Sequence, residues 1–261
     1  MVYDPSTSRV LLFGGTSASG HRFADLWAYD PASNTWIELH PAGDTPGARS
    51  DHAMVYDSRD GKILLFGGDP NRMVYEDEQL SHDAYNDLWA YDPVLNSWTQ
   101  LHPSGDAPYH RSGAGMVFDP AVNRVILFGG LQGRTTEFTP MDDLWSYDLA
   151  TDAWTRLHPA GNVPSARSDM AMDYDPACCL TILFGGATMD SMESPDLPFP
   201  ETLWAYDSAK NAWTKLEPAG RFPYGRMSAA MVYDASIGGM VMFGGVGKPS
   251  GYLSGTWALT P

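Results

Sequence analysis

Val10-Leu11-Leu12-Phe13-Gly14-Gly15 decides how the chain is read. The run returns as Leu64-Leu65-Phe66-Gly67-Gly68, Ile126-Leu127-Phe128-Gly129-Gly130, Ile182-Leu183-Phe184-Gly185-Gly186 and Val241-Met242-Phe243-Gly244-Gly245. An apolar run stopped by two glycines predicts a buried strand that ends in a turn only glycine permits. Five copies spaced 53 to 62 residues apart predict repeats.

Further landmarks keep step with these runs. A tryptophan follows each copy: Trp27, Trp89, Trp145, Trp204 and Trp257. A second one lies nine residues beyond the first four, at Trp36, Trp98, Trp154 and Trp213. Thirteen residues later stand Arg49, Arg111, Arg167 and Arg226, and the next FGG glycine is always eighteen residues past the arginine. Only one interval varies. From the first FGG glycine to the next tryptophan it is 13, 22, 16, 19 and 13 residues. All insertions therefore fall in one equivalent loop, which is where individual function is expected.

Gly-Gly, then Asp-Leu-Trp-Ala-Tyr-Asp, then Asn shortly before Trp, then Pro-x-x-Arg-Ser resembles the kelch repeat, over essentially the whole chain. The resemblance implies an all-β, kelch-type β-propeller of five four-stranded blades, with blade 5 lacking its outer strand. The blades span approximately 1–40, 49–102, 111–158, 167–217 and 226–261 of a single domain. In blade 2 the expected strands are Ala53–Asp57, Lys62–Phe66, Asp87–Tyr91 and Ser97–Leu101, the third alternating at strand period. The two tryptophans of each blade are expected to cement neighbouring blades, with indole N–H groups that need partners. Met1 falls in a slot that Met54, Met116, Met172 and Met231 fill elsewhere, so the chain is expected to begin inside a blade.

Composition narrows the partners. Sixteen basic against 32 acidic residues give a net charge of −16. That argues against nucleic acid or an anionic membrane surface and favours basic partners or cations. No run reaches the ~18 apolar residues of a membrane span, and no signal-peptide pattern is visible, so a soluble protein is expected. Cys178 and Cys179 are adjacent and read as two thiols in a turn.

Blade topology brings the 2–3 loops and 4–1 crossovers to one face, which in kelch proteins is the usual partner or ligand surface. The blade 2 loop carries Glu76, Asp77 and Glu78, and the blade 4 loop carries Asp190, Glu193, Asp196 and Glu201. The expected binding face comprises these acids, with Glu193 prominent, and Arg49, Arg111, Arg167 and Arg226. The arginines also have a structural reading, as partners of Asp25, Asp87 or Asp143. That position is Thr202 in blade 4 and Gly255 in blade 5, which would leave one or two arginines without a carboxylate.

Removing what recurs leaves four histidines without counterparts: His21, His52, His82 and His110. His52, Asp51, Asp169, His110 and His82 form a candidate metal set at the mouth of an axial channel, with Zn, Mn or Fe as the ion. The alternative is a hydrated channel. Two functions follow. In one, the propeller binds a protein or peptide partner through its acidic loop face. In the other, it is a metal-dependent hydrolase of phosphoester or ester type acting on a small anionic substrate. No Gly-x-Ser-x-Gly, P-loop or His-Glu-x-x-His motif is present. An open edge on blade 5 also invites pairing with a second copy of the chain.

Overall fold

The computed structural model describes residues 1–70, 84–134, 137–194, 196–249 and 251–260. Each repeat folds as an antiparallel meander. Blade 1 contains β1 (Val2–Asp4), β2 (Arg9–Thr16), β3 (Arg22–Asp30) and β4 (Thr35–Leu39). Blade 2 contains β5 (Ala53–Asp57), β6 (Lys62–Phe66), β7 (Leu88–Asp92) and β8 (Ser97–Leu101). Three of those four strands have the bounds expected from sequence; β7 is shifted by one residue at both ends, and the Asp87 carbonyl instead accepts the N–H of Gly67 at 3.2 Å.

Blade 3 opens with β9 (Gly115–Asp119) and β10 (Arg124–Phe128). Its 2–3 loop forms a two-stranded sheet of β11 (Leu131–Arg134) and β12 (Glu137–Pro140), and β13 (Leu144–Asp148) and β14 (Ala153–Leu157) complete the blade. Blade 4 contains β15 (Ala171–Asp175), β16 (Leu180–Phe184), the short helix α1 (Met189–Glu193), β17 (Leu203–Asp207) and β18 (Ala212–Leu216).

In blade 5, β19 (Arg226–Met227) precedes β20 (Ala230–Asp234) and β21 (Gly239–Phe243). Two short strands follow, β22 (Val246–Gly247) and β23 (Gly251–Tyr252), then β24 (Thr256–Leu259). The main sheet has the order β20-β21-β24, so β24 pairs on one side only among the described residues.

The glycines behave as expected in four blades, where the second strand ends at the FGG phenylalanine. Blade 1 departs: β2 runs through Gly14 and Gly15 to Thr16, with a register shift between Phe13 and Gly15. That loop is short enough for the hairpin to continue pairing, Gly15 with Phe23 and Thr16 with Arg22.

The hairpin between strands 3 and 4 has a local cause. The leading aspartate accepts backbone N–H bonds across the turn, as Asp92 does from Val94 (2.8 Å) and Leu95 (2.9 Å). The closing asparagine adopts positive φ, 49° at Asn96, and accepts from the tyrosine hydroxyl of the third strand, Tyr91, at 2.8 Å. Tyr206 and Asn211 repeat the bond at 2.9 Å.

Two compact units divide the contacts. One holds residues 1–112, 132–138 and 149–154; the other holds 113–131, 139–148 and 155–261. In the first unit, Trp98 meets Phe13 edge-on at 5.5 Å, and Trp154 meets Phe66 at the same distance. In the second, Trp213 meets Phe128 at 5.3 Å. The fourth-strand tryptophan of one blade thus packs on the FGG phenylalanine of the blade before it. At Phe184 the edge-on contact comes from Phe222 of the 4–1 crossover, at 5.6 Å. Trp36 departs from the expected cement role and is 47% exposed.

Candidate functional site

The recurrent arginines set the frame of the loop face. Arg49 donates from Nε to the carbonyl of Gly47 (2.9 Å) and from Nη1 to that of Gly67 (2.9 Å). Its fork also grips Asp87, Nη1 to Oδ1 at 2.6 Å and Nη2 to Oδ2 at 2.8 Å. Asp87 accepts the indole N–H of Trp89 as well, at 2.7 Å. One carboxylate therefore neutralises a buried guanidinium and satisfies an indole. The tryptophan–aspartate bond recurs at 2.7 Å in Trp27–Asp25 and Trp145–Asp143.

All four arginines are buried: Arg49 and Arg111 are 0% exposed, Arg167 2% and Arg226 3%. Arg49, Arg111 and Arg167 are interior struts, which fits the structural reading of these positions and not the one that placed them on the binding face. The physical reason is a convergence of acceptors that sequence does not display. The backbone carbonyl two residues upstream, the glycine carbonyl eighteen residues downstream and, in blade 2, the aspartate draw the guanidinium inward.

Blades 4 and 5 lack the aspartate, as their sequence implies. Arg167 donates to Gly185 O (2.8 Å), Thr202 Oγ1 (3.1 Å), Ser165 O (2.9 Å) and Ser165 Oγ (2.9 Å). Burial without a carboxylate pushes its guanidinium down to about 10. The Trp204 indole, deprived of its acceptor, is a buried N–H without a partner. Arg226 donates to Tyr224 O (3.0 Å) and Gly244 O (2.8 Å).

The candidate metal residues are placed less favourably for a metal. Asp51 and Asp169 occupy one slot of the repeat, each with positive φ, 54° and 55°. Each is held by the preceding serine hydroxyl at 2.8 Å, from Ser50 and Ser168. In the second unit that slot forms a backbone ladder: Asp169 N–H donates to Gly113 O and Ser228 N–H to Asp169 O, both at 2.7 Å.

His52 lies edge-on to Phe13 at 5.6 Å, and its Nδ1 is buried without a hydrogen bond. Burial first, then the charged chain terminus and Arg49, push its imidazole down to about 3. His110 is half-buried and has a partner of its own. His82 lies outside the described residues. Among the described residues no three His, Cys, Asp or Glu side chains gather as a metal would need.

The acidic loops are only partly within view. Glu76, Asp77 and Glu78 lie outside the described residues. In blade 4, Asp190, Glu193, Asp196 and Glu201 are exposed. The loop is ordered by α1, where the Ser191 hydroxyl accepts the N–H of Thr188 (2.9 Å) and donates to its carbonyl (2.9 Å). Lys248 ties the blade 5 loop to it, with Nζ bonded to the Ser191 carbonyl and, at 2.9 Å, to that of Ser194.

The same blade 4 loop exposes the large apolar side chains Met189, Met192 and Leu197, while Tyr224 is exposed in the following crossover and Tyr252 in the blade 5 loop. Sequence reading missed them. A methionine or tyrosine in an irregular loop has no periodicity to reveal its exposure.

An apolar cleft of about 510 Å³ opens beside β24, lined by Leu203, Phe222, Met231, Met242, Trp257 and Leu259. In blades 2 and 4 a fourth strand pairs with the strand equivalent to β24: Tyr91 opposite Trp98 and Tyr206 opposite Trp213. No helix among the described residues is long and apolar enough to cross a membrane.

Comparison with known proteins agrees with this repeat. The family model described as the KLHDC2/KLHL20/DRC7 Kelch-repeats domain matches residues 1–175. Mei4-dependent protein 6 of Schizosaccharomyces pombe is 28% identical over 211 residues, covering 76% of this chain and 28% of that protein. Human Kelch domain-containing protein 3 is 27% identical over 248 residues, covering 90% of this chain and 58% of that protein. The chain thus spans less than two thirds of either relative. The solved structure of YjhT superposes with a TM-score of 0.70 at 18% identity, over 97% of this chain and 78% of that one. It shares the fold, a β-propeller of kelch type. With its family model matched across most of its length and five FGG blades in register, the chain belongs to the Kelch-repeat family.

Proposed function

We propose that this chain binds a protein or peptide partner through its 2–3 loops, with the loops of blades 4 and 5 at the centre. One observation carries this reading. Lys248 fastens the blade 5 loop, which exposes Tyr252 at 93%, to the blade 4 loop, which exposes Met192 and Leu197 at 36% and 48% together with four acids. Exposed methionine and tyrosine on an ordered support supply apolar anchors, and the acids select a basic partner. Kelch-repeat relatives whose names record the domain support a binding role of this general kind.

A displayed peptide library selected on the protein tests it. The expected winners combine Lys or Arg with a large apolar residue. They should lose at least tenfold in affinity for the triple variant Met192→Ser, Leu197→Ser, Tyr252→Ser, measured by calorimetry. Peptides that bind this variant as well as the parent would contradict the assignment.

The cleft beside β24 favours a second contact, pairing with another copy of the chain along that edge. Mass measured by sedimentation over a wide concentration range should rise, and Leu259→Lys should abolish the rise. A constant monomer mass would count against it.

A further inference from the structure

Three blades of this protein hold a carboxylate at the same point. Asp25, Asp87 and Asp143 each accept the indole N–H two residues on, at 2.7 Å, and Asp87 also takes both Nη atoms of Arg49. Blade 5 keeps the donors and omits the acid. Trp257 pairs with Met242 as Trp89 pairs with Leu65, so the indole stands in the equivalent register. Arg226 repeats the pose of Arg49 through its bonds to Tyr224 O and Gly244 O. Position 255, where the aspartate would stand, is glycine.

The consequence is a notch with donors and no acceptor. Arg226 is 97% buried by its 3% exposure, and its Nη2 has no hydrogen-bond partner among the described residues. A Cβ built on Gly255 would lie 3.2 Å from the Trp257 Nε1, so the indole N–H edge borders the same space. Gly255 is exposed, which leaves the space open to solvent.

Blade 4 lost its aspartate too, but there Thr202 Oγ1 and Ser165 Oγ occupy the donors of Arg167. In blade 5 the residue matching Ser165 is Tyr224, which offers only its backbone carbonyl. Burial lowers the pKa of Arg226, as expected of a guanidinium without a counter-charge.

We propose that the notch at Gly255, bounded by Arg226 and Trp257, is a binding site for a carboxylate. The bound group would be held as Asp87 is held in blade 2: bidentate on a buried guanidinium, with an indole N–H on one oxygen. A free small carboxylate and an aspartate side chain on a partner share this chemistry. The site is independent of the surface formed by Met192, Leu197 and Tyr252.

Formate and the blocked tripeptide acetyl-Gly-Asp-Gly-amide serve as the two probes, with chloride at equal ionic strength as the control. The readout is the indole ¹H–¹⁵N resonance of Trp257, assigned with Trp257→Phe. We expect a saturable shift with formate, half-complete at roughly 1 mM or weaker, the ceiling for a three-atom ligand. A tighter response to the tripeptide would identify a side chain as the fitting source; a response to formate alone would identify small free carboxylates.

Gly255→Asp should abolish both responses, because it supplies the carboxylate from within. Its own Trp257 resonance should already sit near the saturated position, and its melting temperature should rise. No saturable shift with either probe, or the same shift in Gly255→Asp, would overturn the proposal. An Arg226 variant is not needed, so loss of folding cannot obscure the outcome.

Discussion

The Nη1 of Arg49 lies 2.9 Å from the carbonyl oxygen of Gly67, eighteen residues along the chain. Arg167 reaches Gly185 and Arg226 reaches Gly244 across the same interval, at 2.8 Å each. The constant spacing is therefore the length of chain needed to bring an arginine fork back onto the turn that ends its own second strand. In blade 2 the fork also requires Asp87. Asp87→Ala should destabilise the protein by about 3–5 kcal/mol, because it strands a buried cation. Urea unfolding checks this, and a loss below about 1 kcal/mol would contradict the strut.

The FGG turn needs its first glycine for two reasons. Gly67 has φ +67°, and a Cβ there would stand 2.6 Å from the carbonyl oxygen of Arg111. Gly43 also has positive φ, +83°, but nothing lies within 4 Å of its Cβ position. Gly43→Ala should therefore cost only the backbone strain, about 1–2 kcal/mol. Gly67→Ala should cost that and a steric clash, together roughly 3 kcal/mol or more. Equal melting temperatures for the two variants would show that the close approach to Arg111 is not limiting.

Phe222 makes with Phe184 the kind of edge-on contact that tryptophans make on the other FGG phenylalanines. Its ring meets Phe184 at 5.6 Å, where the other blades use Trp98, Trp154 and Trp213. Phe222→Ala should lose roughly 2–4 kcal/mol, since the site opens onto the cleft and one face is already solvated. Phe222→Trp should be close to neutral. A destabilising Trp with a harmless Ala would reverse this assignment.

His52 gives the stability a defined pH dependence. Its pKa is about 3 in the folded protein against 6.5 for the free group. Between these values the unfolded chain binds a proton that the folded chain refuses. Its contribution is fully present above pH 6.5 and is lost as the pH falls towards 3. The full loss is on the order of 5 kcal/mol. His52→Phe should remove most of this acid sensitivity, read as the change in urea midpoint between neutral and mildly acidic pH. An unchanged difference would place the titration elsewhere.

The strands were legible because their pattern is dense. Phe-Gly-Gly, Leu-Trp-Ala-Tyr-Asp and the Pro-Asn turns fixed β5, β6 and β8 to the residue, since glycine and turn residues mark ends by sterics. The arginines had two readings, and the pairing of Arg49 with Asp87 was legible from spacing, whereas the two backbone carbonyls that help to bury the guanidinium carry no mark in the sequence. The loss of a carboxylate at Thr202 and Gly255 was readable by subtraction. The rescue of Arg167 by Ser165 was not, because it depends on where a hydroxyl points. Helix α1 and the β11–β12 hairpin were invisible for want of periodicity in loops shaped by local hydrogen bonds. The exposure of Tyr252 was hidden for the same reason.

Hydrogen exchange with and without a selected basic peptide tests the binding assignment most directly. Amides of residues 188–194 and 196–198 in the blade 4 loop and 247–249 and 251–253 in the blade 5 loop should slow on binding, while the hairpins between strands 3 and 4 stay unchanged. Protection confined to those hairpins, with none in the two loops, would contradict it.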